Sequence, residues 1–456
     1  MDNNKATLEL GTKPVGRLLT QYALPAIIAM TASSLYNMVD SIFIGQGVGA
    51  LAISGLAVTF PFMNLSAAFG AGVGVGSSSY LSVKLGQKDY STAQRILGNN
   101  VTLNIIIGLV FSVVSLLFLD PILYFFGASE QTIPYAREYM VIILLGNIIT
   151  HLYFGMNAVL RAASKPRQAM YTTIFTVMLN SVLDPLFIYT FDMGIRGAAF
   201  ATILSQTVAL VWQTSLFSDK SELLHLRSGI DTLDNNIVKN ILGLGRSPGA
   251  MNATACLVAI FVNQRLLEYG GDLAVGAYGI ANRVAFIFVM ITMGVNQGMQ
   301  PIAGYNYGAQ KYDRLMRVLM LAMIAGTCVT VTGFLVAEFI PHLCVGLFTS
   351  DADLTRLSVH GIRVMMAAMP IVGYQMVVTN FFQSIGKAKI SIFLSLSRQL
   401  LFLVPLLGVL PLFLDITGVW IAMPISDAFS AIFALVMMMR YMRMFKRQHR
   451  EMMAEA

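Results

Sequence analysis

Twelve apolar stretches, each about 20 residues or longer, run along this chain with short polar breaks between them. About 20 apolar residues is what a helix needs to cross a hydrocarbon core ~30 Å thick. Isolated strands would leave backbone groups unpaired in lipid, so each stretch is expected to be helical. The expected spans are roughly 18–44, 52–80, 96–119, 134–160, 168–191 and 195–217, then roughly 240–267, 274–302, 316–341, 357–384, 389–413 and 417–442. Composition agrees, with 56 % hydrophobic residues, 12 % charged residues and a mean hydropathy of +0.70. A soluble fold needs far more charge on its surface. The longest polar stretch, "SDKSELLHLRSGIDTLDNNIVKN", divides the spans into two sets of six. The expected fold is therefore an all-α integral membrane protein, 12 transmembrane helices in two pseudo-symmetric six-helix lobes. Its parts are an N-lobe (1–217), a cytoplasmic linker (218–239), a C-lobe (240–442) and a basic cytoplasmic tail (443–456).

The net charge of +7 is unevenly placed. Most Lys and Arg fall in the N-terminal segment, in alternate loops such as "VKLGQKDYSTAQR", "RAASKPR", "KYDRLMR" and "GKAK", and in the tail "RYMRMFKRQHR". The intervening loops "DPILYFFGASEQ", "TSDADL" and "DITG" are poor in positive charge. This is the positive-inside pattern of a chain that crosses a membrane repeatedly, with both termini cytoplasmic. It explains the basic balance without a nucleic-acid partner. The polar start "MDNNKATLELGTKPVGR" has no small-residue cleavage site before the first span, so no removable signal peptide is expected. Cys256, Cys328 and Cys344 lie far apart, the five histidines form no HExxH pair, and the loops gather no acid or histidine cluster. Neither a metal site, a disulfide framework nor an enzyme is expected.

The two sets of spans repeat at an offset of about 222 residues, an internal duplication of the kind many transporters carry. Gly72, Val73 and Gly76 correspond to Gly294, Val295 and Gly298; Gly86, Tyr90, Arg95 and Leu97 to Gly308, Tyr312, Arg317 and Leu319; Phe126 to Phe348 and Lys165 to Lys387. An even number of spans per repeat makes the repeats parallel, with a substrate site expected between the lobes near mid-membrane. The glycine-rich "GAGVGVGSSS" lacks the Lys-Ser/Thr of a phosphate loop and sits inside a span, which points to close helix packing and away from an NTPase.

Ionisable groups are costly within a span and usually face a cavity or a partner. Asp40, in "YNMVDSIFIG", stands about 33 Å along its helix at 1.5 Å per residue, with no basic residue between Arg17 and Lys84. Asp184, in "NSVLDPLF", falls at similar depth, with Asn180 four residues earlier on the same helical face and Thr202 near the same level of the next span. Two carboxylates in a low-dielectric pocket cannot easily both be ionised, so a proton would bind and leave there; alternatively the oxygens would hold Na⁺ with the amide and the hydroxyl. Pro25 and Pro185 are candidate bends, Pro25 linking the state of Asp40 to the shape of its helix. The second half carries uncharged and basic groups instead, with Gln264, Asn282, Gln297, Gln300 and Arg398 as candidate cleft residues.

These segments resemble one family. "SLYNMVDSIFIGQGVGALAISGLAVTFP", "LRAASKPRQAMY", "LNSVLDPLFIY", "GIRGAAFATILSQ", "GVNQGMQPIAGYNYGAQKYDR" and "FFQSIGKAKISIFLSLSRQLLFLVPL" are similar to the motifs of multidrug and toxic compound extrusion (MATE) exporters. The resemblance implies a monomeric, cation-coupled antiporter of the bacterial inner membrane, exporting small drug-like molecules without a cofactor. Its cation site would be in the first lobe, at Asp40, Asn180, Asp184 and Thr202, with Tyr36, Tyr139 and Asn157 as network neighbours. Another branch of the family uses acids in helices 7 and 10; here helix 7 has none before Glu268 and helix 10 has none. The alternative is a lipid-linked saccharide or other lipid flippase of the same superfamily; a saccharide flippase would carry intramembrane arginines in its first lobe.

Overall fold

A computed structural model describes residues 5–455 except Gly49, Ser228 and Thr349; within helices, the side chains at 36–39, 41, 42, 45, 46, 50, 51, 53, 54, 57, 272 and 455 are outside the description. Helix α1 is Val15–Gly47, α2 Ala50–Gly86 and α3 Tyr90–Leu117. Helix α4 is a bent pair, Ile133–Leu145 and Asn147–Ala162; α5 is Pro166–Pro185 prolonged by a π turn at Leu186–Thr190; α6 is Ile195–Leu216. One helical run, Asn235–Gly308, is broken at Gly271 (φ 69°) into α7 (Asn235–Gly271) and α8 (Leu273–Gly308). Then come α9 (Tyr312–Phe339), α10 (Ala352–Met365 and Met369–Ser384), α11 (Ala388–Leu396, a π segment Ser397–Leu403, and on to 414) and α12 (416–455), the last two parted by Asp415 at φ 50°. Among the described residues there is no strand; helices are joined by turns, bends and short irregular segments.

Ten helical runs are long and apolar enough to cross a bilayer; the α4 pair makes an eleventh, and the 67-residue run Ala388–Ala454 holds two spans around Asp415. The twelve expected spans are therefore present. The spanning windows are only 11 to 56 % buried, so much of the apolar surface faces outward, as lipid contact requires. Two differences from the expected spans have local causes. The span expected at 134–160 bends by 57° at Gly146, where Ile203 of α6 packs so closely that a Cβ would stand 2.5 Å from it. The basic tail expected from 443 continues α12, its good helix formers anchored by the buried Phe445.

The sequence repeat recurs in the backbone. Two non-glycine residues hold left-handed conformations 222 positions apart, Lys88 (φ 60°) and Gln310 (φ 58°). The same offset relates Ser164 (φ 65°) to Gly386 (φ 82°). Each closes a helix with a six-to-one bond, Asp89 N to Lys84 O at 3.0 Å and Lys311 N to Asn306 O at 2.9 Å for the first pair. The break of α4 at Gly146 likewise matches the tightened turn Met366–Ala368 in α10. Past α5 the register slips by one residue, since Asp192 (φ 51°) corresponds to Asp415 (φ 50°).

The chain forms two compact units, Met1–Thr12 with Ile28–Asn252, and Lys13–Ile27 with Ala253–Ala456. The division falls inside α1, two residues after Pro25, and inside α7, four after Pro248. In the second unit α8 crosses the start of α1 at glycines: a Cβ on Gly294 would stand 2.6 Å from the Ile27 Cα, and Gly298 lies against Ala23. In the first unit α2 crosses the start of α7 the same way, Gly72 against Gly245 (2.9 Å for an added Cβ) and Gly76 against Ile241. Ala23 and Gly245 are themselves 222 apart, so the repeat extends into α1. Small residues allow such backbone approaches where lipid gives helices no hydrophobic reason to associate. The first unit's core gathers Ile44, Phe62, Tyr139, Ile143 and Ile188; the second unit has one cluster around Trp420 and another around Ile362 and Met366.

Candidate functional site

Helix α5 sets one wall of the site. Tyr171, Phe175, Met178, Val182, Leu186 and Tyr189 are all exposed and recur every three to four residues, a single lipid-facing stripe. Asn180 and Asp184 lie half a turn away from that stripe, and they are 2 % and 0 % exposed. Helical periodicity thus turns the two polar groups inward as the apolar ones turn out. Pro185 has no N–H to continue the α ladder, and the next turn widens, with Phe191 N bonding to Leu186 O at 3.0 Å. Asp184 therefore stands at the last regular turn before a proline and a π turn.

Asp40 of α1 meets it. Asp40 is 7 % exposed, and its carboxyl group is in hydrogen-bond contact with that of Asp184. Asn180 Nδ2 donates to Asp184 Oδ2 at 2.9 Å, and Ser205 Oγ of α6 donates to Asn180 Oδ1 at 3.4 Å. Thr202 Oγ1, one turn from Ser205, donates to Ala198 O at 3.1 Å. Tyr139 of α4 is buried within electrostatic reach of both carboxyls. Among the described residues, Asp40 Oδ1 and Asp184 Oδ1 are buried and make no hydrogen bond. Two carboxylates cannot donate to each other, so their contact needs a proton or a bridging cation. The spare oxygens are suited to accept one.

The Tyr36 side chain lies outside the described residues. Asn157 sits in a separate network near the start of α5, donating to Ala169 O (3.0 Å), Thr173 Oγ1 (3.2 Å) and Thr172 Oγ1 (3.3 Å) and accepting from Arg161. Thr172 and Thr173 precede Asp184 by about three helical turns, so the structure does not bring Asn157 to the carboxyl pair. Pro25 is buried inside the unbroken helix α1. In the second unit, Gln264 and Asn282 are exposed, Gln297 is half-buried and Gln300 is 9 % exposed. Arg398 pairs with Asp427 of α12 at 3.6 Å.

Sequence reasoning missed three features. Ser205 sits three residues beyond Thr202 in α6, and that spacing was the available signal. Ser66 Oγ donates to Asn147 Oδ1 at 2.7 Å and lies 3.4 Å from His151 Nε2, a buried cluster signalled by the four-residue spacing of Asn147 and His151. The pairing of Arg398 with Asp427 joins different helices and had no local signal.

Known proteins share this architecture. The profile of the MatE family matches residues 25–186 and 250–407, one block in each half of the chain. The multidrug export protein MepA of Staphylococcus aureus (strain MSSA476) is 26 % identical over 423 residues, covering 93 % of each chain. The MepA protein of Staphylococcus haemolyticus (strain JCSC1435) is 27 % identical over 92 % of each. The solved outward-facing structure of a multidrug resistance MATE family transporter of the MOP superfamily superposes with a TM-score of 0.91 at 24 % identity, covering 96 % of this chain and 98 % of that one.

Proposed function

Because the chain belongs to the MatE family of multi-pass membrane proteins, we propose that it is a secondary active multidrug efflux transporter, exporting small organic, often cationic compounds in exchange for an ion. Its setting is the bacterial inner membrane, with both termini cytoplasmic as the positive-inside pattern requires. The exchanged ion is H⁺, and its site is the Asp40–Asp184 pair. The observation that carries this reading is the direct contact between the two buried carboxyls, which a shared proton satisfies. Asn180 orients Asp184, and Ser205 orients Asn180. Loss of the proton leaves two like charges in a low-dielectric site, which repel each other and part α1 from α5. That is the differential energy a coupled conformational change needs.

Na⁺ is the second reading, favoured by the spare Asp40 Oδ1 and Asp184 Oδ1. Efflux of a fluorescent organic cation from vesicles, under an imposed proton or sodium gradient separately, distinguishes them. Proton-driven efflux that is lost in Asp40→Asn and Asp184→Asn supports H⁺ at the pair. Sodium-driven efflux alone moves the assignment to Na⁺, and normal efflux by both variants removes the pair from the mechanism. Absence of gradient-dependent movement for every organic cation tried would favour the flippase reading.

A further inference from the structure

We infer that the cytoplasmic end of α12 holds an anionic phospholipid by its phosphate, in a groove that the carboxyl pair does not involve. The groove measures about 890 Å³ and is lined by Ile390 of α11 and by Val436, Met439, Arg440, Arg443 and Arg447 of α12. Val436, Arg440, Arg443 and Arg447 recur at helical spacing and form one stripe, apolar at Val436 and cationic from Arg440, at the end of the expected span, onward. That order matches a phospholipid lying against the helix, its acyl chain along Ile390, Val436 and Met439 and its headgroup phosphate among the guanidinium groups.

Guanidinium groups are suited to this role because their planar fork bonds phosphate oxygens in pairs. Arg440 and Arg443 are exposed and make no ion pair among the described residues. Arg447 pairs with Glu451 at 3.5 Å, but both side chains are mostly exposed and such a pair contributes little. The stripe is also held in place. On the opposite side of α12, Phe445 is 1 % exposed and stacks on Tyr312 at 5.6 Å, with Tyr307 6.2 Å away. The extension beyond the span is therefore packed against the turn between α8 and α9, and the arginines are fixed outward. Lys387 and Lys389, just before Ile390, add positive charge at the same end. Basic clusters at the cytoplasmic end of a span attract anionic lipid through the surface potential of that leaflet. This proposal rests on the membrane reading and not on efflux or its ion.

The test uses the purified full chain in detergent, with phosphatidylglycerol, phosphatidylcholine or inorganic phosphate added, read by thermal unfolding and by native mass spectrometry. Phosphatidylglycerol should raise the unfolding temperature saturably by about 5 °C, a shift typical of a ligand well above its Kd. It should also persist as a bound adduct. The variant R440Q/R443Q/R447Q should lose most of both effects. The variant K220Q/R227Q/K239Q, which removes three exposed charges from the linker region, should behave as wild type. The three arginines are exposed, and the adduct measurement reports binding even if the variant's stability changes. Equal retention of phosphatidylglycerol by R440Q/R443Q/R447Q, or an equal effect of phosphatidylcholine, overturns the proposal. An equal saturable shift with inorganic phosphate would assign the groove to free phosphate and overturn the lipid assignment.

Discussion

The two repeats share a backbone and differ in chemistry. Left-handed turns recur at Lys88 and Gln310, a helix break recurs at Gly146 and Met366–Ala368, and both repeats cross helices at paired glycines. Yet Asp40 corresponds to Val262, a 1 % exposed core residue. Asp184 corresponds to Leu406 or, allowing for the slip past α5, to the fully buried Leu407. One repeat thus builds with aliphatic side chains what the other builds with a carboxyl pair, so the fold does not require those acids. The second unit has a charge pair of its own, Arg398–Asp427, but it joins opposite charges at 3.6 Å and is partly exposed. At the 223-residue offset that holds past α5, Asp427 falls at Leu204, next to Ser205, the hydroxyl that bonds Asn180 in the first unit. A pair of opposite charges satisfies itself, whereas two carboxyls in contact need an added proton or cation. On the proposed reading, this difference is why the first unit exchanges the ion and the second does not.

This contrast can be broken experimentally, beginning with the largest effect. Asp40→Asn and Asp184→Asn should each reduce gradient-driven efflux by about tenfold or more, since each removes one half of the shared site; transport assays at equal protein level read this. Moving the acid to the other repeat, Asp40→Asn with Val262→Asp, should not restore efflux. It should also lower stability on the order of 3 kcal/mol, because an unpaired carboxylate would be buried among aliphatic groups; chemical unfolding in detergent measures the cost. Gly76→Val and Gly298→Val probe what the repeats share, and both should destabilise by about 1–3 kcal/mol from overpacking. A large difference between them would show the crossings to be unequal. Ser205→Ala removes a 3.4 Å bond and should cut efflux only about two- to fivefold while narrowing its pH range. Asn157→Ala should lower stability by about 1 kcal/mol and leave the pH profile of efflux unchanged, since its bonds go to Ala169, Thr172 and Thr173.

Much of this was legible in the sequence because the bilayer imposes simple demands. Span length, loop charge and the 222-residue offset each follow from one-dimensional patterns, and the structure carries all twelve spans. Asp40 and Asp184 were legible as well, since a charge inside an apolar run stands out and Asn180 shares the Asp184 helix face. Contacts between elements were harder to read. Nothing near Asn157 in the chain says that it faces Thr172 and Thr173 while Tyr139, on the other piece of α4, faces the carboxyls. The 57° bend at Gly146 separates the two pieces, and it depends on Ile203 arriving from α6. The division of α1 after Pro25 and of α7 after Pro248 was also hidden, because each helix reads as one apolar run whichever unit its first turns join. Ser205 went unread for a similar reason: serine is common on packed helix faces, and only its distance to Asn180 gives it a role.

The central claim is that a proton resides between Asp40 and Asp184 and leaves during exchange. Proton release on addition of a cationic substrate to the purified protein, followed with a pH-sensitive dye in weakly buffered solution, tests it directly. About one proton should be released per wild-type chain, with none from Asp40→Asn or Asp184→Asn at substrate concentrations that saturate binding. Release of the same proton by either variant would contradict it.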